Sequence, residues 1–268
     1  MNKQSISRIL RIVLLAGIPI AALLQELAVL LSYDVETNYF VSYSFLPSFA
    51  NILTAILFAA AIFFAIIVEK PQPTASPFGS QMWFALPAAI GFGIGGISLL
   101  IDFLSKGVML SLLTAIACLL SALYVLLSET NLKNTFLGFA PPIACAFIVA
   151  ILYFDQSLEI NAPLKVATQC ALLPLMLYFT AELRYQLGRE LPRLYIALAL
   201  GSIAASSLCI LTVPVASITG RFENTYCLIA ALTTLGINAT VALRQWRYLQ
   251  TPNTTSPDEN TTKETDAQ

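Results

Sequence analysis

The sequence contains no histidine, and this absence is the first constraint on its chemistry. Histidine supplies the imidazole of Ser–His and Cys–His nucleophile pairs, of many proton relays and of many metal sites. Those arrangements are therefore excluded. No pair of intramembrane aspartates replaces them as a general acid and base. The prediction is a non-enzymatic protein with no catalytic residue, no cofactor and no metal.

Charge is also scarce, because Asp, Glu, Lys and Arg make up 11% of the chain and the net charge is -1. Soluble domains carry about a quarter of charged residues. With 57% hydrophobic residues and a mean hydropathy of +0.78, the composition indicates an integral membrane protein in contact with the lipid bilayer. The near-zero charge gives no indication of nucleic acid as a partner.

The five cysteines form no CxxC pair, and their odd number does not fit a disulfide framework. Each of them lies inside or at the edge of an apolar run. We expect them to be small buried hydrophobic residues rather than redox or metal-binding groups.

Eight apolar runs along the chain approach the length of about 20 residues that a membrane-crossing helix needs. They cover residues 9–31, 46–68, 83–101, 108–127, 136–154, 164–183, 194–213 and 226–243. The third run is expected to be broken by Asp102 and Lys106. The fold class is thus predicted to be all-α, a polytopic bundle over residues 1–250. Residues 251–268 have no apolar content to form a core and are predicted to be a disordered cytoplasmic tail.

The positions of Lys and Arg predict the orientation, because basic residues concentrate on the cytoplasmic side of membrane proteins. If both termini are cytoplasmic, Lys106, Lys165 and Arg221 face outward and all the other basic residues face inward. An added or missing span would destroy this bias. The prediction is a multi-pass protein of the plasma membrane with both termini in the cytoplasm.

The two halves of the chain, residues 1–130 and 131–250, show a weak internal similarity. Aligning Pro19 with Pro142 also matches Glu36 with Glu159 without a gap. Two halves of four spans each would form a parallel tandem repeat related by an axis along the membrane normal. The alternative is that hydrophobic spans resemble one another by composition alone.

Polar side chains inside the spans are the first candidates for function, since they are costly in hydrocarbon. Gln25 and Glu26 lie about five residues below the outer end of the first span, and Asn51 and Gln169 lie about five residues into theirs. If the helices bring them together, they line an outward-facing polar pocket. In the alternative, Glu26 reaches the interface and the amides form interhelical hydrogen bonds of about 1 kcal/mol each.

Two further patterns within spans have a structural and a functional interpretation. Asn238 and Thr234 form a second polar point nearer the inner leaflet, where interhelical hydrogen bonding is the favoured interpretation. The third span carries a glycine-rich pattern made of Gly91, Gly93, Gly95 and Gly96. Because no strand or Walker lysine accompanies the glycines, close helix packing is favoured over phosphate binding.

Prolines at positions 19, 87 and 174 are predicted to lie inside spans, where each leaves a backbone carbonyl without its helical donor and can kink the helix. A static kink that fits the packing is favoured over a hinge.

The segment after the sixth span carries Arg184, Arg189 and Arg193, with Gly188 as a predicted helix terminator and Pro192 at the start of the next helix. Its arginines are first of all determinants of topology. Contact with a phospholipid or a protein partner is the alternative.

This segment and the loop before the sixth span resemble a group of bacterial multi-pass membrane proteins of unknown activity. The matching positions are Asn161, Pro163 and Lys165 before the span and Glu182 and Arg184 at its end. The resemblance covers about forty residues and implies a common fold with an eight-span topology. It implies no activity.

Two classes of function remain open from the sequence. The first is a transporter-like or small-molecule-binding membrane protein with an outward-facing polar pocket. The second is a non-catalytic partner, sensor or scaffold subunit that binds another protein. Intramembrane polar groups favour the first class. The sequence shows no energy-coupling motif that could drive transport, which counts against it.

Overall fold

A computed structural model of the chain describes residues 3–67, 82–130, 135–189 and 191–250. The helices in this part are α1 (Lys3–Ser32), α2 (Leu46–Ile67), α3 (Leu86–Lys106), α4 (Met109–Ser128), α5 (Ala140–Phe154), α6 (Pro163–Gln186), α7 (Pro192–Ser206), α8 (Thr212–Ile218) and α9 (Thr225–Gln250). A short antiparallel hairpin pairs β1 (Tyr33–Asp34) with β2 (Tyr39–Phe40) between α1 and α2. Single 3-10 turns precede α3 and α5.

Seven of these helices are long and apolar enough to cross a membrane, and each coincides with one of the predicted runs. The all-helical membrane fold is therefore confirmed. The expected break of the third run at Asp102 is wrong, because α3 continues to Lys106. An ion pair of 2.7 Å between Lys106 Nζ and Asp102 Oδ1, one turn apart, stabilises this end of the helix. The predicted tail, residues 251–268, lies outside the described residues.

The predicted run 194–213 differs from the others, because it is divided between α7 and α8 by a turn over residues 207–211. Pro214 lies in the first turn of α8 and cannot donate a hydrogen bond to the carbonyl of residue 210. In addition, the Ser206 hydroxyl donates to the Ser202 carbonyl at 2.6 Å, a back-bond that bends helices. Proline and serine together explain why this helix is discontinuous.

Two contacts of α9 define the two ends of the bundle. Asn224, just before α9, donates to Asp155 after α5 at 2.6 Å, and this end is called the Asp155 end. Near the other end of α9, Arg244 donates to Glu182 in α6 at 3.0 Å, and this end is called the Arg244 end. Since α7 follows α6 and α8 precedes α9, α7 and α8 together lead from the Arg244 end to the Asp155 end.

The helix pairing gives limited support to a tandem repeat. Helices α1 and α2 pack together, as do their counterparts α5 and α6. However, α6 also packs closely on α7, whereas α2 packs on α7 and not to a comparable extent on α3 within the described residues. The two halves therefore do not make equivalent contacts, and the 4+4 repeat is not confirmed.

Glycines bring α3 and α9 into close contact, as the packing interpretation expected. A Cβ atom on Gly236 of α9 would lie 2.9 Å from Gly91 Cα and would also meet the Pro87 carbonyl. A Cβ atom on Gly95 would lie 2.5 Å from Thr233 Oγ1, whereas Gly93 faces open space. Pro87 lies in the first turn of α3, so no helical donor is lost there and the predicted kink at Pro87 is wrong.

At the Asp155 end, a loop folds over the start of α6. The Lys165 ammonium group is fully buried and donates to the carbonyls of Asp155 at 2.7 Å and Leu158 at 3.2 Å. Asn224 Oδ1 accepts from the Cys227 amide at 2.7 Å and thereby caps α9, while its amide nitrogen binds Asp155. One side chain thus joins the loop to the helix.

Replacing Asn224 with alanine is expected to lower the free energy of unfolding by about 1–2 kcal/mol, because a helix cap and a buried loop contact are both lost. Asn224→Ser retains a cap oxygen and is expected to cost less than Asn224→Ala. The measurement is an unfolding titration in mixed micelles of dodecyl maltoside and sodium dodecyl sulfate. Equal stability of Asn224→Ala and the unaltered protein would contradict the joining role.

Candidate functional site: an open groove and a buried ion cluster

A groove lies between α2 and α6 near the Asp155 end, with the end of α7 as its floor. Its volume is about 560 Å³. Its polar side chains are Asn51, Thr54, Asn161 and Cys170, and the remaining lining residues are apolar, including Phe58, Pro174 and Leu208. None of these described lining residues is charged. The groove therefore combines two amides at its outer part with an apolar body below them.

Asn51 is held in place by the first helix. Gln25 is buried in α1 and donates from Nε2 to Asn51 Oδ1 at 2.8 Å. One turn deeper, the Thr54 hydroxyl donates to the Ala50 carbonyl at 3.0 Å. With its oxygen occupied by Gln25, Asn51 retains its own amide nitrogen as a donor to a molecule in the groove.

The structure brings two of the four predicted pocket residues together. Gln25 and Asn51 are hydrogen-bonded, and Asn51 lines the groove. Glu26 and Gln169 are half-buried and are not among the residues that line it. Asn161 takes part instead; the sequence had drawn attention to it through the resemblance before the sixth span and through the repeat alignment, which matches it with Asn38. A ligand-binding role for the predicted set stays a prediction.

The floor of the groove is the place where α7 ends. Ala205 and Leu208, on either side of that end, both line the cavity. Backbone that departs from a regular helix at membrane depth is tolerated where it is buried in protein or lines a cavity. Discontinuous helices are also a common component of binding sites in transporters.

Cys170 is the exception to the expectation that every cysteine is buried. It lies on the α6 side of the groove and is exposed, whereas the other four cysteines are fully buried. The expectation failed at Cys170 because apolar sequence around a residue does not tell whether it faces protein or the outside of the bundle.

A buried ion cluster lies at the Arg244 end, where α4, α6 and α9 meet. The Arg244 guanidinium donates to Glu129 Oε1 at 2.7 Å, to Glu182 Oε1 and Oε2 at 3.1 and 3.0 Å, and to Ser128 Oγ at 2.7 Å. The side chains of Arg244, Glu129 and Glu182 are 1% exposed or less. This one guanidinium therefore joins three helices.

Further polar side chains complete the cluster. The Tyr124 hydroxyl donates to Glu182 Oε1 at 2.9 Å and accepts from Gln186 Nε2 at 2.9 Å. Arg247, which is partly exposed, approaches Glu129 Oε2 at 4.0 Å. Two arginines thus face two glutamates, so the formal charges balance in a region with little water.

The chemistry of the ion cluster is that of a closed connection between helices. Its carboxylates are held by a guanidinium, which keeps its proton at any relevant pH. A buried pair of this kind contributes specificity of packing more than net stability, and breaking it leaves an uncompensated charge. Buried charge inside a membrane bundle is also a common mark of a functional element.

The sequence offered a signal for this cluster, but it was interpreted differently. Glu129 and Arg244 closely follow the predicted runs 108–127 and 226–243, and Glu182 lies at the end of the run 164–183. Glu182 also belongs to the resemblance. The predicted topology puts the ends of these three helices on the same side of the membrane, so the residues were expected at a similar depth. Nothing in the sequence indicated that they contact one another.

The second predicted polar point is an interhelical contact in the structure. Asn238 Nδ2 donates to Ser206 Oγ at 2.7 Å and to the Thr234 carbonyl at 2.8 Å. Asn238 Oδ1 and Thr234 Oγ1 are buried without a hydrogen-bond partner in the described part of the chain. This contact ties α9 to the last residue of α7.

Three arginines at the junction of α6 and α7 lie at the surface of the Arg244 end. Arg184, Arg189 and Arg193 are all exposed. Gly188 has a positive φ of 74°, as a helix terminator requires, and α7 begins at Pro192. The loop itself was thus predicted correctly, and a lipid or partner contact of its arginines stays a prediction.

The two outer loops that the repeat alignment matched touch each other at the Asp155 end. The Tyr39 hydroxyl donates to Glu159 Oε2 at 2.7 Å. This hydrogen bond to a carboxylate raises the pKa of Tyr39 above its usual value. The contact links the β1–β2 hairpin to the loop before α6, close to the outer part of the groove.

Comparisons of this chain with protein-family models, with curated proteins and with solved structures found no match. Within the described ranges, the structure groups no three metal-ligating side chains. The functional argument therefore depends on the groove and the ion cluster alone.

Proposed function

We propose that this integral membrane protein is transporter-like and binds a small amphiphilic molecule in the groove between α2 and α6. The observation that supports this function is the asymmetry of the bundle. The groove opens near the Asp155 end, whereas at the Arg244 end the ion cluster joins α4, α6 and α9. An outward-open state of a transporter has the same two features.

The chemistry of the groove favours an uncharged polar head with an apolar body. Asn51 and Asn161 offer hydrogen bonds near the outer surface, and the apolar walls continue deeper toward Pro174. Because the lining residues carry no charge, a strongly charged head would lose its hydration without compensation. The discontinuity between α7 and α8 at the floor supplies an element that can change its geometry.

The proposal includes the topology. In it, α7 and α8 together form an eighth, discontinuous crossing, so that both termini lie on the same side. That side is the cytoplasm, because the described basic residues are concentrated at the Arg244 end while Lys106, Lys165 and Arg221 lie at the other. The membrane is the plasma membrane, and the role is not catalytic.

The first test uses Cys170 as a native probe of the groove. In proteoliposomes, the membrane-impermeant reagent MTSET is expected to modify Cys170. The reaction needs a thiol in contact with water, where it can ionise, and an open groove provides that contact. Intact-mass measurement would show one adduct per chain. A Cys170→Ala variant is the control for labelling elsewhere, and Ala167→Trp is expected to slow the reaction by filling the groove.

Two outcomes would contradict the proposal. If Cys170 is modified only after denaturation, the groove is occupied by lipid chains and is not open to an outside solute. If labelling is rapid but no amphiphile from a panel of uncharged candidates slows it, and proteoliposomes show no flux of any of them, the groove is not a binding site for this class.

The second candidate function is a non-catalytic partner, sensor or scaffold subunit. The observation that favours it is the exposed position of Arg184, Arg189 and Arg193, three cations at the junction of α6 and α7. A stable subunit that co-purifies with the protein and is lost when all three are replaced by glutamine, together with an absence of flux, would favour this function.

A further inference from the structure

A second cavity lies at the Arg244 end, on the side of the bundle formed by α1, α2, α7 and α9. Its volume is about 240 Å³, and its walls are almost entirely apolar. Phe64 of α2 and Leu200 of α7 form its inner wall, and Leu14 and Ile18 of α1 close one side. The cavity is separate from the groove near the Asp155 end, since no residue lines both.

One polar side chain in this cavity has no partner. Gln245 of α9 is 2% exposed, and neither its Nε2 nor its Oε1 makes a hydrogen bond in the described part of the chain. A buried amide whose donor and acceptor lack partners is destabilising, because it has lost its hydrogen bonds to water without replacement. Because Gln245 lines the cavity, a ligand that enters it can offer the missing hydrogen bonds.

The rim of the cavity carries a positive charge and an interfacial aromatic residue. The Arg11 guanidinium lies 5.6 Å from the centre of the Trp246 ring, and both residues line the cavity. Arg11 and Trp246 lie near the ends of their candidate spans, where tryptophan and arginine are typical of the membrane–water interface. Arg11 makes no ion pair with a described carboxylate, so its charge is available to a ligand.

We infer that this cavity binds one anionic phospholipid of the leaflet at the Arg244 end. An acyl chain lies along the apolar wall, an ester carbonyl accepts from Gln245 Nε2, and the phosphate lies at Arg11. The cavity thus offers an apolar wall for the chain, an amide donor for the ester and a cation for the phosphate. A soluble anion would pair with Arg11 alone, and it has no part that could fill the apolar cavity or accept a hydrogen bond from Gln245.

The inference is independent of a transport function in the groove, and Trp246 provides a local probe for it. The chain has two tryptophans, so Trp83→Phe leaves Trp246 as the single fluorophore. Delipidated protein in detergent is titrated with phosphatidylglycerol that carries brominated acyl chains, which quench tryptophan on contact. Phosphatidylcholine with the same chains is the comparison.

Phosphatidylglycerol is expected to quench at a concentration about fivefold lower than phosphatidylcholine, which corresponds to one cation facing one anionic lipid. Arg11→Gln is expected to abolish this preference. Gln245→Leu is expected to weaken binding of both lipids, because the ester contact is common to them. Arg184→Gln, an exposed arginine at the same end but outside the cavity, is the matched control and is expected to retain the preference.

Three results would overturn the inference. The first is equal quenching by the two lipids, which indicates ordinary solvation by the bilayer. The second is loss of the preference in Arg184→Gln but not in Arg11→Gln, which assigns it to the loop after α6. The third is displacement of the brominated lipid by inorganic phosphate, which indicates a site for the free anion. If Arg11→Gln fails to fold, Ala242→Phe fills the cavity from α9 and is expected to remove the preference.

Discussion

Replacing Arg244 with methionine is expected to lower the free energy of unfolding by about 3–5 kcal/mol, because Glu129 and Glu182 would remain buried with no nearby cation to match them both. The two carboxylates are 1% exposed or less, so they are shielded from water where they lie. The loss is measured by unfolding in mixed micelles. It should be the largest effect of any single substitution proposed for this chain.

The cause of that loss can be separated from lost packing by removing the carboxylates as well. In the triple variant Arg244→Met, Glu129→Gln and Glu182→Gln, no fully buried charge is left, because Arg247 is partly exposed. Most of the lost stability is therefore expected to return. Arg184→Met, at the exposed position two residues after Glu182, is the matched control and is expected to change stability by less than about 0.5 kcal/mol.

The opposite result would be informative about the bundle. If Arg244→Met and Arg184→Met are equally stable, the ion cluster is not a closed connection, and the closed end of the proposed outward-open state loses its support. If the triple variant is no more stable than Arg244→Met alone, the loss comes from the volume and hydrogen bonds of the guanidinium instead of the charges.

Replacing Gly236 with alanine is expected to lower the free energy of unfolding by about 2–3 kcal/mol, since the added methyl group would collide with backbone atoms of α3. Its Cβ would meet the Pro87 carbonyl and lie 2.9 Å from Gly91 Cα. Backbone atoms cannot rotate aside as a long side chain can. The two helices would have to separate along a contact that also includes Gly95 and Thr233.

The matched control is Gly93→Ala on the opposite face of α3, where a Cβ meets nothing within 4 Å. Alanine is the better helix former by about 1 kcal/mol, so Gly93→Ala is expected to be neutral or stabilising. The two substitutions are chemically identical and are expected to differ in sign. The same destabilisation at both positions would mean that the close approach of α3 and α9 does not hold.

Much of the helical architecture could be predicted from the sequence, because hydrocarbon makes strict demands on length and composition. A helix must be about 20 apolar residues long to cross the membrane, and seven of the eight predicted runs have this form. The helix terminator at Gly188 and the start of α7 at Pro192 were also predicted from the sequence, since each follows from local backbone geometry.

The two exceptions in the helices have local causes that were present in the sequence. Pro214 fell just outside the predicted run 194–213, so the discontinuity between α7 and α8 was missed. Asp102 and Lys106 were interpreted as a break, although their spacing of four residues allows an ion pair on one helix face. In both cases the hydropathy of the run received more weight than the spacing of its polar residues and prolines.

The candidate sites depended on information that hydropathy does not contain. In a soluble protein, the outer face of a helix contacts water and is polar, whereas its core face is apolar. The sequence therefore distinguishes the two faces. In a membrane the surroundings of the bundle are as apolar as its core, so a lipid-facing leucine and a buried leucine are equivalent in the sequence. The sequence alone therefore determined the membrane class, the positions of the spans and the uneven distribution of basic residues. Only the tertiary structure decided which faces meet, and thus that Gln25 binds Asn51, that Cys170 lines a groove, and that Glu129, Glu182 and Arg244 form one cluster.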